Sequence, residues 1–186
     1  MNWLRKEVTQ RDYAVFSFSG HGQKDADGGL YFLPVDVETD NLSSTAILAD
    51  QFKLPLTALP GKIILLLDAC HSGGVDAGAT GRRKGAGALT DDLLRDLVTD
   101  ESGVVVMCSS TGRESSLENN EHRQGNFTLS LIEGLSGKAD YNKDGSVFLN
   151  ELDTYVTDRV KELSKGQQHP VTAKPSSIRS FPLAKP

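Results

Sequence analysis

Two short stretches of this chain bring together residue types that can do covalent chemistry. One reads Phe16-Ser17-Phe18-Ser19-Gly20-His21-Gly22. The other reads Ile64-Leu65-Leu66-Leu67-Asp68-Ala69-Cys70-His71-Ser72-Gly73-Gly74. Each is an apolar run that closes on a small-residue turn carrying one reactive side chain. An apolar run of that length bounded by glycine reads as a strand buried on both faces of a parallel sheet. Side by side, two such strands set His21 and Cys70 at neighbouring carboxyl ends, where open α/β sheets place their sites. A thiol next to an imidazole is a nucleophile and its base. Gly20 and Gly22 let a substrate come close to the backbone, and a backbone N–H there can face an oxyanion. The second cysteine, Cys108, follows Val104-Val105-Val106-Met107 and reads as packing. His71 reads as structural, and His122 and His169 carry no signal.

The elements that must position these residues follow from the apolar pattern. Residues 1–9 read as the end of a helix, 12–19 as the first strand and 20–29 as a Gly/Asp-rich loop. A short extended piece runs from Leu30 to Val35, and a helix interrupted near Pro55 falls within 46–58. Pro60-Gly61 breaks the chain before the central strand at 62–68. Residues 71–88 are rich in glycine and have no periodicity, so they read as a long flexible loop. Thr90 with Asp91 and Asp92 opens a helix to about residue 98. Val104 to Cys108 is a third buried strand, and 109–125 a polar loop. Asn126 caps a helix over 127–135. Leu152, Val156, Val160 and Leu163 recur at helical spacing in a helix over about 149–164. The tail from 165 reads as irregular, with a short strand at 180–183. Strands alternating with helices give an α/β fold around a mostly parallel sheet.

Composition bounds the function classes. A chain of 186 residues is a single domain, and 38% hydrophobic residues suffice for a core. The 20 basic and 25 acidic residues leave a net charge of -5. That is no footprint for nucleic acid. No apolar stretch approaches the ~20 residues that cross a bilayer, and residues 1–10 do not form a signal peptide. Two cysteines make no disulfide framework. A cytoplasmic location is the expectation, which also suits a reactive thiol.

At these residues the chain resembles the caspase-fold cysteine peptidases, in their metacaspase-like and bacterial caspase-like branch. Ser-Gly-His-Gly after one apolar strand and Asp-Ala-Cys-His-Ser-Gly after the next carry the resemblance. The histidine lies 70 − 21 = 49 residues upstream of the cysteine, against ~50 in caspases. Ser109-Ser110, Glu114-Ser115, Gly125-Asn126-Phe127-Thr128 and Gln168 to Pro170 resemble later segments, so the likeness spans nearly the whole chain. It implies a caspase-like three-layer sandwich with a mostly parallel central sheet. It implies Cys70 as nucleophile and His21 as general base and then acid, with the N–H groups of Gly22 and Cys70 as the oxyanion hole. Asp68 matches the acid that lies at the base of the pocket for Arg or Lys in metacaspases. A buried carboxylate on the nucleophile's own strand can pair bidentately with arginine; the plainer reading is that it only hydrogen-bonds the backbone. The implied substrates are proteins or peptides cut after a basic residue, and no cofactor is required. The implied fold begins with strands before the histidine strand, whereas Met1 stands about eleven residues before it. The expectation is therefore a fragment, or a sheet completed by an attached or partner segment.

Two further stretches carry chemistry of their own. Asp140-Tyr141-Asn142-Lys143-Asp144-Gly145, five residues and Glu151 fit the EF-hand loop pattern. Asp140, Asn142, Asp144 and Glu151 are its candidate calcium ligands; the other reading is a tight turn. Arg82-Arg83-Lys84 lie in the glycine-rich loop, where proteolytic nicking concentrates. The resemblance makes that loop the candidate for self-processing by an enzyme that prefers basic residues. Against the peptidase stand two rivals: a non-catalytic scaffold of the same fold, and a calcium-regulated interaction module.

Overall fold

The valine-, isoleucine- and leucine-rich runs form the middle of one sheet. The computed structural model describes residues 3–25, 27, 29–71, 97–99, 103–110, 117–119 and 124–186. In chain order its elements are α1 (Leu4–Glu7), β1 (Tyr13–Lys24), β2 (Leu30–Leu33), a 3-10 turn (Thr39–Asn41), α2 (Leu42–Thr45), β3 (Ile47–Leu48), α3 (Asp50–Thr57), β4 (Lys62–His71), β5 (Val104–Cys108), β6 (Glu118–Asn119), β7 (Gln124–Gly125), α4 (Asn126–Glu133), a π-type turn (Gly134–Lys138), β8 (Val147–Phe148), α5 (Leu149–Leu163), β9 (Val171–Ala173) and β10 (Pro182–Ala184).

Among the described residues the main sheet has six strands in the order β3-β2-β1-β4-β5-β9. β1, β4 and β5 are mutually parallel, β2 and β9 run against them, and β3 turns back to their direction. Strand alternation splits the core into two layers. Ile63, Leu65 and Leu67 of β4, with Val104, Val106 and Cys108 of β5, pack with Leu56, Leu59 and Leu97. Ile64 of β4, with Val105 and Met107 of β5, packs with Phe127, Leu131, Leu152, Val156 and Val160. Helices therefore cover both faces of the sheet centre, which gives the three-layer α/β sandwich. Gly61 admits the chain crossing before β4: a Cβ there would lie 2.7 Å from the Asp12 carbonyl oxygen.

Several boundaries differ from the sequence reading; α3, for one, runs through Pro55 without interruption. β1 continues through Gly20-His21-Gly22 to Lys24, because residues 21–24 form a hairpin ladder with β2. β4 continues through Cys70 to His71, because it stays in register with β1 along its length. The reactive motifs thus lie within paired strand ends and not in turns after them. In the tail Val171–Ala173 adds antiparallel to β5 as an edge strand that the sequence reading did not expect, while the short strand expected at 180–183 is Pro182–Ala184, paired with β8. Pro170 and Pro175 bracket β9, as proline does at sheet edges.

β1 is half covered. Ala14, Phe16 and Phe18 pack into the first core layer. On its other face Tyr13 is 45% and Val15 60% exposed, and Ser17, Ser19 and His21 are exposed as well. Tyr13 stacks on Phe181 from the second layer, with ring centroids 5.0 Å apart, so this open face looks toward α4 and α5. Residues 13–20 pair with β4 alone among the described strands.

α4 and α5 are joined by one ionic knot. Glu133 accepts from Lys138 Nζ at 2.7 Å, Arg159 Nε at 2.8 Å and Tyr155 Oη at 2.9 Å. Lys138 first, then Arg159 and Tyr155, hold the Glu133 carboxyl down from 4.5 to about 2. A depressed carboxyl stabilises the fold above its unfolded value, and that contribution is lost as pH falls through the folded one. The expected result is a melting difference between wild type and Glu133→Gln that is constant above about pH 5. It should shrink between about pH 4.5 and 2. Its size should be about 1 kcal/mol, because Lys138 stands in solvent. Thermal melts across that range check it.

Candidate active site

The parallel ladder of β1 on β4 brings the sequence-predicted pair together. In its register Ser19 faces Asp68, Gly20 faces Ala69, His21 faces Cys70 and Gly22 faces His71. Neighbouring strands run about 4.8 Å apart, so His21 and Cys70 are backbone neighbours at the carboxyl end of the sheet. His21 is held from its other side by the hairpin, where it faces Leu33 of β2. Its side chain is exposed, on the open face of β1.

Gly22 is buried between Phe32 and His71. A Cβ there would meet Leu30 and the Tyr31 carbonyl at 3.5 and 3.7 Å, which is ordinary contact. The described packing does not itself require glycine at 22.

Asp68 is 8% exposed, two residues before Cys70 on the same strand. It lies against the start of α4. Thr128 Oγ1 donates to its Oδ2 at 2.6 Å. A Cβ on Gly125 would stand 2.5 Å from that same oxygen, so any larger residue there must displace the carboxylate or the start of the helix. Gly125 is also the N-cap of α4, in extended backbone, with no side-chain cap bond. The sequence reading gave that cap to Asn126, which instead sits inside the first turn and is buried. The carboxylate has taken the space a capping side chain would use. The positive end of a helix favours an anion there, which accounts for a buried carboxylate with a hydroxyl partner.

One residue that organises this end of the sheet carried no mechanism in the sequence reading. Gln168 is fully buried. Its Nε2 donates to the Ser109 carbonyl at 2.8 Å, and its Oε1 accepts from Leu117 N–H at 3.0 Å. Ser109 N–H in turn bonds the Leu67 carbonyl beside Asp68, and Asn126 N–H bonds the Leu117 carbonyl. Gln168 thus ties the end of β4 and the start of α4 into one frame. Its only sequence signal was its place in the Gln168-to-Pro170 segment.

The family model for the caspase domain matches residues 1–182. The chain belongs to the caspase-domain family. Members of that family are cysteine peptidases. Among solved structures, the caspase domain is similar to caspase-1 from Spodoptera frugiperda, at 15% identity and a TM-score of 0.50, over 96% of this chain and 71% of that one. At that identity the likeness shows the fold. No curated protein matches.

Within this caspase domain the two cysteines part company. Cys108 is buried in the first core layer, and burial pushes its thiol up to about 12. It is inert packing, as its apolar run predicts. The acidic loop at 140–151 is built as a turn. Asp140 accepts from the N–H groups of Asp144 and Gly145, Asn142 from Asp144 and Asp144 from Ser146. Glu151 caps α5 by accepting from Phe148 N–H at 2.9 Å. Among the described residues no cluster of three or more His, Cys, Asp or Glu side chains is placed to hold a metal. Arg82, Arg83 and Lys84, and most of the 71–88 loop, lie outside the described residues. No described helix is long and apolar enough to cross a membrane.

Proposed function

We propose that the chain is a cysteine endopeptidase that cuts after arginine or lysine with Cys70 and His21. The observation that carries this is the register of His21 with Cys70 on adjacent parallel strands, with a buried carboxylate two residues before the cysteine. In the proposed reaction His21 takes the thiol proton, and the Cys70 thiolate attacks the scissile carbonyl. The tetrahedral oxyanion is held by backbone N–H groups at Gly22 and Cys70. Collapse breaks the C–N bond, and the imidazolium gives its proton to the leaving amine. Water, deprotonated by His21, then opens the thioester and releases the acid product and the thiol. Thiol and imidazole suffice for each of these steps, so the chemistry is complete without a metal.

A peptidyl-arginine acyloxymethyl ketone tests the proposal. It should label the chain at Cys70, mapped by mass spectrometry, and leave Cys108 untouched. A protein that hydrolyses no basic peptide and takes no label would be the non-catalytic scaffold instead.

Self-processing follows from the same preference. We expect active protein to cut itself after Arg82, Arg83 or Lys84, while Cys70→Ala protein stays whole. Mapping new termini after incubation decides it; equal cutting in both would end the idea.

A further inference from the structure

We propose that Thr128 is a positioning residue for arginine recognition: its hydroxyl fixes the plane in which Asp68 presents its carboxylate. The inference rests on the proposed role of Asp68 in binding the basic side chain. A buried carboxylate that must meet a guanidinium needs more than charge. Two parallel N–H···O bonds form only when the planes of the two groups agree. An Asp side chain is free to turn about its last torsion, which has a broad, roughly two-fold profile. Here that turn is stopped from two sides. Thr128 Oγ1 donates to Oδ2 at 2.6 Å. The Gly125 backbone lies under the same oxygen, so close that a Cβ would stand 2.5 Å from Oδ2 but 3.4 Å from Oδ1.

Thr128 is itself well anchored. It is the third residue of α4 and follows Phe127, which is 1% exposed in the second core layer. The helix start is tied through Leu117 to the Gln168 frame. The hydroxyl therefore comes from a rigid element, as positioning groups should. Lysine offers a compact ammonium with rotatable donors, whereas arginine offers a planar fork. Losing the fixed plane must hurt arginine more than lysine, and that asymmetry separates orientation from simple support of the fold.

The test uses the full chain carrying Cys70→Ala, so that no probe is turned over. Binding of two short peptide amides, identical except for a terminal arginine or lysine, is measured by calorimetry. Thr128→Val should weaken the arginine peptide roughly tenfold and the lysine peptide by no more than about twofold. Thr128→Ser should restore both. In an Asp68→Asn background, Thr128→Val should change nothing. The arginine-to-lysine ratio is taken within one sample, so partial unfolding of a variant cancels. Equal losses for both peptides, or none, overturn the positioning role and leave Asp68 standing as the cation partner. If the parent protein does not distinguish either basic peptide from a norleucine control, Asp68 is no cation site and the inference falls with it.

Discussion

Cys70→Ala is expected to abolish peptide cleavage while the protein keeps its melting temperature, and His21→Ala to lose nearly as much. The size follows from the chemistry: without the thiol no thioester forms, and without the imidazole neither proton is moved. Losses of about 10³-fold or more in kcat are usual for members of such a unit, and they do not add. The double variant should therefore be no worse than the worse single one. The fold argument is independent. His21 is exposed on the open face of β1, so its removal leaves no cavity in the core. Cys108→Ala gives the internal contrast. That thiol is buried and held protonated, so the variant should lose stability and keep its activity. Cleavage by Cys70→Ala at the wild-type rate would show the nucleophile assignment to be wrong.

The strands that carry this pair were legible because their signal is hydrophobic and local. Ile63 to Leu67 and Val104 to Cys108 read as buried strands and are, with Leu66 half-buried. What the sequence could not show was where pairing continues past the apolar run. Gly20-His21-Gly22 and Ala69-Cys70-His71 look like turns by composition, yet ladder partners on β1, β2 and β4 hold them extended. Composition describes one segment, whereas strand length is settled between segments. β9 was missed for a related reason: three residues among prolines have no periodicity, and only the edge of β5 makes them a strand. The site divides in the same way. Cys70, His21 and Asp68 announce themselves by residue type at the end of an apolar run. Gly125 and Gln168 do not. Glycine at 125 is explained only by an oxygen that stands 57 residues earlier in the chain, and Gln168 by two backbone groups on other segments. Long-range steric and hydrogen-bond demands leave no local pattern.

The buried carboxylate that crowds Gly125 gives the second large effect. Cleavage of a peptide library is expected after arginine and lysine, with little after aspartate, and Asp68→Asn should remove the preference. An Asn keeps the shape and can still accept from Thr128, but it no longer offers a charge to a desolvated cation. Leaving such a cation without its counter-charge costs about 3–5 kcal/mol. That corresponds to a loss of roughly 10²–10⁴-fold in kcat/KM on basic substrates, with norleucine substrates changed far less. Gly125→Ala should reach the same end by another route. Its methyl group would collide with Asp68 Oδ2, so either the carboxylate turns away or the start of α4 shifts. Overpacking of this kind costs about 1–3 kcal/mol of stability. It should also reduce cleavage after arginine more than cleavage after norleucine, because the carboxylate is what moves. If Gly125→Ala lowers stability but leaves the profile of cleaved residues unchanged, or if Asp68→Asn still cuts after arginine at the wild-type rate, then Asp68 is a buried anchor for α4 and the basic side chain is recognised elsewhere.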